Sequence, residues 1–111
     1  MSCDTWDIIL VPFPFTNLRT LKKRPALVIS PEIYNSGGDR VILFITSNIH
    51  THAKSGDYFI ENWKESGLPK PSMTRMKFAT ISESIIIKKI GTLDNNDRKA
   101  LKLKLRAFFD L

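Results

Sequence analysis

The sequence predicts a mainly β, mostly antiparallel domain that ends in one helix. Three observations carry that expectation. Short runs rich in Ile, Val and Leu recur at residues 7–11, 26–29, 40–45 and 85–87, and the first three stop at Pro12, Ser30 and Thr46. After Asp94 there is no Gly or Pro, and there Leu101, Leu105, Phe108 and Phe109 recur at helical spacing. The chain has 111 residues, 42% of them apolar, enough for one folded domain with a single core.

Residues 1–5 form a short lead. The first strand covers 7–11, apolar enough to be buried on both faces. Pro12 and Pro14 then interrupt the ladder, leaving Phe13 and Phe15 for packing in the core or at an interface. A polar loop over 16–23 follows; Arg19, Lys22, Lys23 and Arg24 place four cations there with no anion among them. The second strand covers 24–30, with Pro25 at its start because proline donates no ladder hydrogen bond. Pro31 ends it, and Asn35-Ser36-Gly37-Gly38 is a turn. The third strand, 40–45, closes on Thr46, Ser47 and Asn48, and His50 and His52 lie in the loop over 49–56.

A short strand is expected at 57–60, and Gly67, Pro69 and Pro71 keep 62–71 irregular apart from one helical turn near 63–66. Residues 72–81 read as an extended segment in which Met73, Arg75 and Lys77 alternate with Thr74, Met76 and Phe78. The triple isoleucine at 85–87 is a short β stretch, and 90–93 turns into the helix. Asp94 is its N-cap, and Asp97 sits in the first turn, where the helix dipole favours an anion.

The net charge is +6 and the pI about 9.7, a balance that favours a polyanionic partner such as nucleic acid or an acidic protein. One cysteine, Cys3, excludes a disulfide framework or a cysteine-based zinc site within one chain. His50 and His52 lack a nearby carboxylate or thiol in sequence, although an imidazole is able to donate or accept protons. There is no bilayer-length apolar run and no signal-peptide pattern, so the expectation is a soluble, cytoplasmic protein without membrane association. Arg24 stands at a strand mouth beside a rigid proline, and a guanidinium held there grips a phosphate in a planar fork. On composition alone, the favoured reading of Lys22, Lys23 and Arg24 is a solvated loop end.

The segments Asp7-Ile8-Ile9-Leu10-Val11-Pro12-Phe13-Pro14-Phe15 and Lys23-Arg24-Pro25-Ala26-Leu27-Val28-Ile29-Ser30, followed by Ile45-Thr46-Ser47, resemble the MazF/PemK family. The likeness continues through Gly67-Leu68-Pro69-Lys70-Pro71-Ser72 and Ile90-Gly91-Thr92-Leu93, in the family's order. These are the ribonuclease toxins of bacterial toxin–antitoxin pairs. The resemblance implies a small SH3-like β-barrel with a C-terminal helix, usually a homodimer. It implies metal-independent cleavage of single-stranded RNA by the ribose 2′-hydroxyl, with no cofactor, leaving a 2′,3′-cyclic phosphate and a 5′-hydroxyl. It implies an acidic antitoxin as protein partner, for which the basic faces of the final helix are one candidate surface.

By the same resemblance Arg24, Thr46, Ser47 and Arg75 fall on active-site positions. Arg24 would stabilise the extra charge of the phosphorane, and Thr46 would orient rather than abstract, since a hydroxyl is a poor base at neutral pH. Arg19, Lys22, Lys23 and Lys77 are assigned to RNA binding. Two positions depart from the pattern. Trp6 stands where many relatives have glycine, and reads either as a base-stacking platform or as a packed or interface side chain. Lys77 stands where one branch has a catalytic aspartate. Two other functions fit the fold: a CcdB-like poison of DNA gyrase, or a non-catalytic SH3-like RNA- or protein-binding module. Arg24-Pro25 argues against the first, and Lys77 keeps the second open.

Overall fold

In the computed structural model, which describes residues 3–13, 22–50 and 53–111, the apolar runs pair into one six-stranded antiparallel sheet. The strands are β1 (Asp7–Phe13), β2 (Lys22–Val28), β3 (Asp39–Thr46), β4 (Tyr58–Phe59), β5 (Met73–Ser82) and β6 (Lys88–Thr92). Their spatial order is β4-β5-β3-β2-β1-β6, and the sheet curls into a half-barrel. A one-turn helix α1 (Glu32–Asn35) joins β2 to β3, and α2 (Asn95–Phe109) ends the chain. Phe15, Arg19 and His52 lie outside the described residues. Among the described residues no helix is long and apolar enough to cross a membrane.

The period of two along each strand sorts the apolar residues onto two faces. Ile8, Leu27, Leu43 and Ile45 face α2 and bury with Leu93 and Leu101. Ile9, Val11, Ala26, Val28, Ile42 and Ile81 form the other cluster, together with Cys3. Burial pushes the Cys3 thiol above its ordinary pKa.

Pro12, expected to break a strand, and Pro25, expected to begin one, both lie inside one, and Pro14 lies outside the described residues. β1 runs on through Pro12, which pairs with Lys23, and β2 begins at Lys22, so Pro25 is its fourth residue, opposite Leu10. The ladder to β6 ends at Leu10, and the ladder from β2 to β3 begins only at Ala26. Each proline therefore sits where its strand has a single neighbour, the edge position at which a missing N–H is tolerated.

The triple isoleucine is not a strand. Residues Glu83–Ile85 form a 3-10 turn, capped by Ser82, whose hydroxyl accepts from the Ser84 N–H at 3.2 Å. Ile85 and Ile86 instead pack onto the cluster around Ile9 and Ile42. The strand comes later, over Lys88–Thr92, where a turn was expected. Gly91 explains why a glycine stands there: a Cβ on it would lie 1.9 Å from the carbonyl oxygen of Ser66. The turn over 61–67 thus rests directly on the β6 backbone. Gly91→Ala is expected to cost about 1–3 kcal/mol through overpacking, read as a lower urea midpoint at unchanged slope. An unchanged midpoint would contradict the close approach.

Asp94 caps α2 as expected, its Oδ2 accepting from the Asn96 N–H at 3.0 Å. Asp97 does more than complement the dipole. It is fully buried and accepts from the Tyr58 hydroxyl and from the backbone N–H groups of Glu61 (2.9 Å) and Asn62 (3.0 Å). This carboxylate ties the helix to the segment after β4. Burial, then the hydrogen bond to Asp97, pushes the Tyr58 phenol above its usual range. The apolar stripe of the helix fades toward its end. Leu101 is fully buried, whereas Phe108 and Phe109 are half exposed and cluster with Phe78.

Trp6 adopts φ +75°, the left-handed conformation that a glycine takes without strain. Its N–H donates to the Val28 carbonyl at 2.7 Å and its carbonyl accepts from Leu93 N–H at 2.8 Å. The side chain packs against the cluster beneath α2. The tryptophan thus holds a left-handed backbone geometry, fixed by two main-chain bonds and by packing.

Candidate active site

The face of the sheet that carries Ile9, Val28 and Ile42 does not end where its apolar core ends. Continuing the same alternation leads from Val11 to Phe13 on β1, from Ala26 to Arg24 on β2, and from Ile42 through Phe44 to Thr46 on β3. The side chains on this extension line a groove of about 290 Å³, together with Pro25, Asn48, Arg75 and Lys77. That volume lies near the lower end of the range of about 300–1,000 Å³ for small-ligand sites.

β5 supplies Arg75 and Lys77 through an irregularity. Leu43 pairs with Phe78, but its neighbour Phe44 pairs with Arg75. In an unbroken ladder Phe44 would oppose Lys77. Met76 and Lys77 are the extra residues of a bulge, and Arg75 takes the position across from Phe44. An even number of extra residues preserves the faces, so Arg75 still points to the groove side of the sheet.

Arg24 is exposed and lies over the Phe13 ring, its guanidinium carbon 5.8 Å from the ring centroid. Phe13 meets Phe44 edge to face at 6.2 Å. Phe13 was expected in the core or at an interface; it instead forms part of the groove wall, 36% exposed. The Thr46 Oγ1 accepts from the Asn48 N–H at 3.1 Å. That bond fixes the hydroxyl at the strand end and leaves its own hydrogen to donate elsewhere.

The groove therefore brings together Arg24, Thr46, Arg75 and Lys77. Ser47 is exposed and is not part of the lining, and its carbonyl accepts from the Ile49 N–H in the turn. Lys22 and Lys23 are exposed at the start of β2, leading into the groove without lining it. His50 is exposed and outside the lining. Among the described residues no group of three or more His, Cys, Asp or Glu side chains is placed to hold a metal ion.

One charged residue near the groove was not singled out from the sequence. Asp57 pairs with Arg75, Oδ2 to Nη2 at 3.4 Å. In the sequence it is only the first polar residue of a short strand, 18 positions before Arg75. The signal that finds it is the register of β4 on β5, which pairs Tyr58 with Thr74 and so sets Asp57 opposite Arg75.

The architecture recurs in solved structures. An endoribonuclease from a mycobacterial species, solved with its cognate antitoxin, superposes with a TM-score of 0.79 at 11% identity, covering 99% of this chain and 97% of its own. The Mycobacterium tuberculosis toxin MazF-mt6 gives 0.74 at 20% identity, over 95% of this chain and 97% of its own. MazF from Deinococcus radiodurans gives 0.74 at 17% identity, over 100% and 99%. No curated protein matches the chain by sequence. The fold, a curled antiparallel sheet with a C-terminal helix, is that of the MazF toxins.

The family model described as the PemK-like, MazF-like toxin of type II toxin–antitoxin systems matches residues 4–109. The chain belongs to that family.

Proposed function

We propose that this toxin is an endoribonuclease that cuts single-stranded RNA without a metal ion. The 2′-hydroxyl oxygen attacks the adjacent phosphorus, and the bond from phosphorus to the 5′-oxygen breaks. The products are a 2′,3′-cyclic phosphate and a 5′-hydroxyl, and the hydroxyl proton leaves the nucleophile as the leaving oxygen gains one. The observation that carries this reading is the meeting of Arg24, Thr46 and Arg75, from three strands, in one cationic groove.

Arg24 and Arg75 take the non-bridging oxygens of the phosphorane, which bears more charge than the starting phosphodiester. The Thr46 hydroxyl orients the nucleophile or a phosphoryl oxygen. Lys77, with Lys22 and Lys23 on the approach, binds the RNA backbone in a salt-dependent manner, and the sequence assigns Arg19 the same role. Ser47 joins the site only through the turn it shares with Thr46.

An acidic antitoxin is proposed as the protein partner, in keeping with the +6 charge of the chain. The mycobacterial endoribonuclease was solved with its cognate antitoxin, and the Deinococcus MazF as a MazE–MazF complex, which supports the same pairing here. A homodimer is proposed from the family.

The test is incubation of the purified chain with defined single-stranded RNA in chelator, followed by analysis of the product ends. Cyclic-phosphate ends are expected. No cleavage, with trapped gyrase–DNA complexes instead, would place the protein with the gyrase poisons. Thr46→Ala is expected to lower the single-turnover rate about tenfold, the scale of one neutral hydrogen bond, with RNA affinity nearly unchanged. Thr46→Ser should recover most of the rate. Equal losses of rate and affinity would make Thr46 a binding residue only.

A further inference from the structure

Three cations, Arg24, Arg75 and Lys77, line one small groove. Like charges at such a site repel, and a long side chain among them is driven toward solvent unless something holds it. Arg24 has the Phe13 ring. Lys77 is exposed. Arg75 is different: its side chain is only 15% exposed, and the carboxylate beside it is 4% exposed.

That carboxylate, Asp57, is itself fixed from behind. Its N–H donates to the Lys54 carbonyl at 3.0 Å, and its Oδ2 accepts from the Lys54 N–H at 2.7 Å. The turn that makes both bonds needs Gly56, which holds φ +86°. The same Oδ2 faces Arg75 Nη2. The other oxygen, Oδ1, is buried without a hydrogen-bond partner among the described residues. A pair serving only to join β4 to β5 would be better made from apolar residues, since burying charges carries a desolvation cost. A buried carboxylate with one oxygen unmatched, sitting against a groove-lining arginine, suits a different task. Asp57 is not among the groove-lining residues and meets the groove through Arg75.

We propose that Asp57 is a positioning residue for RNA cleavage. It anchors the Arg75 guanidinium from behind and offsets the charge of its neighbours, so that the arginine stays aimed at the scissile phosphate. This rests on the ribonuclease reading above. The bulge in β5 and the anchor are two halves of one device: the first brings Arg75 opposite Phe44, and the second keeps its side chain there. No step of proton transfer is assigned to Asp57.

The experiment is a double-mutant cycle read by single-turnover cleavage of a defined RNA, with RNA affinity measured in parallel. Arg75→Ala is expected to slow cleavage about a hundredfold, as removal of one charge-stabilising donor does. Asp57→Asn is expected to slow it about tenfold through misplacement of the arginine, with RNA affinity changed less than about twofold. The double variant should be no slower than Arg75→Ala alone, because the aspartate acts through the arginine. A merely structural role would instead lower the thermal midpoint while leaving the rate per folded molecule intact. If Asp57→Asn does not fold, Asp57→Glu takes its place in the cycle, keeping the charge on a longer arm. Losses that multiply in the double variant, or an Asp57 variant that cuts at the wild-type rate, overturn this proposal alone. Absence of cleavage by the wild-type chain overturns the ribonuclease reading and this proposal with it.

Discussion

Arg24→Ala is expected to slow RNA cleavage at least a hundredfold, a loss of about 2.7–4 kcal/mol of transition-state stabilisation. The size follows from what the guanidinium is asked to do. The phosphorane carries charge that the phosphodiester lacks, so a fixed cation stabilises the transition state more than the bound substrate. The folded state should hardly notice the change. Arg24 is exposed at the open end of β2, and its one described contact is the Phe13 ring, an exposed cation–π pair of about 0.5–1 kcal/mol. Rate and stability therefore separate cleanly. Arg24→Lys keeps the charge but loses the planar fork, and should recover only part of the rate. The measurement is single-turnover cleavage at saturating protein beside a urea melt. A variant that cuts within threefold of wild type would remove Arg24 from the chemistry and leave the groove as a binding surface.

The largest expected effect on stability lies elsewhere, at Asp97. Asp97→Ala removes the acceptor shared by the Tyr58 hydroxyl and the N–H groups of Glu61 and Asn62. A donor left without a partner costs about 1–3 kcal/mol where water does not reach it, and these three contacts are part-buried. Such penalties do not add fully, and an overall loss of about 3–5 kcal/mol is expected, a large share of the stability of a small domain. Asp97→Asn should recover part of it, because its amide oxygen still accepts while its NH2 faces donors. Urea unfolding followed by circular dichroism reads both. A loss below about 1 kcal/mol for the alanine variant would mean that the contact after β4 is not held by this carboxylate.

Much of this architecture is legible in residue patterns. The apolar runs behind β1, β2 and β3 and the Gly/Pro-free tract capped by Asp94 each rest on a local rule, and each holds. The misplacements occur where local preference meets tertiary context. Isoleucines at 85–87 favour a strand, but Ser82 caps a 3-10 turn over Glu83–Ile85, and only Ile87 bonds to β1, its N–H donating to the Leu10 carbonyl. Gly91 argues against a strand until the turn at Ser66 is seen resting on it.

The groove follows the same division. Arg24, Thr46 and Arg75 are visible from motif and alternation, and all three line it. Asp57 is not visible, because nothing within ten residues of it announces Arg75. Only strand register joins them. Trp6 is a second case. Nothing in the sequence marks it as left-handed, and only the backbone shows that it holds a conformation glycine takes without strain.

The two-residue bulge in β5 makes the groove a matter of counting. A sheet is read in a frame of two, as a message is read in a frame of three. Removing two residues from the bulge would straighten the strand and leave every side chain up to Met73 on its present side. Removing one would turn Thr74 toward the groove and Arg75 away from it, and would uncouple Arg75 from Asp57. Length variation at this position is therefore quantised. In relatives that keep an arginine across from Phe44, insertions and deletions between Arg75 and Phe78 should come in pairs.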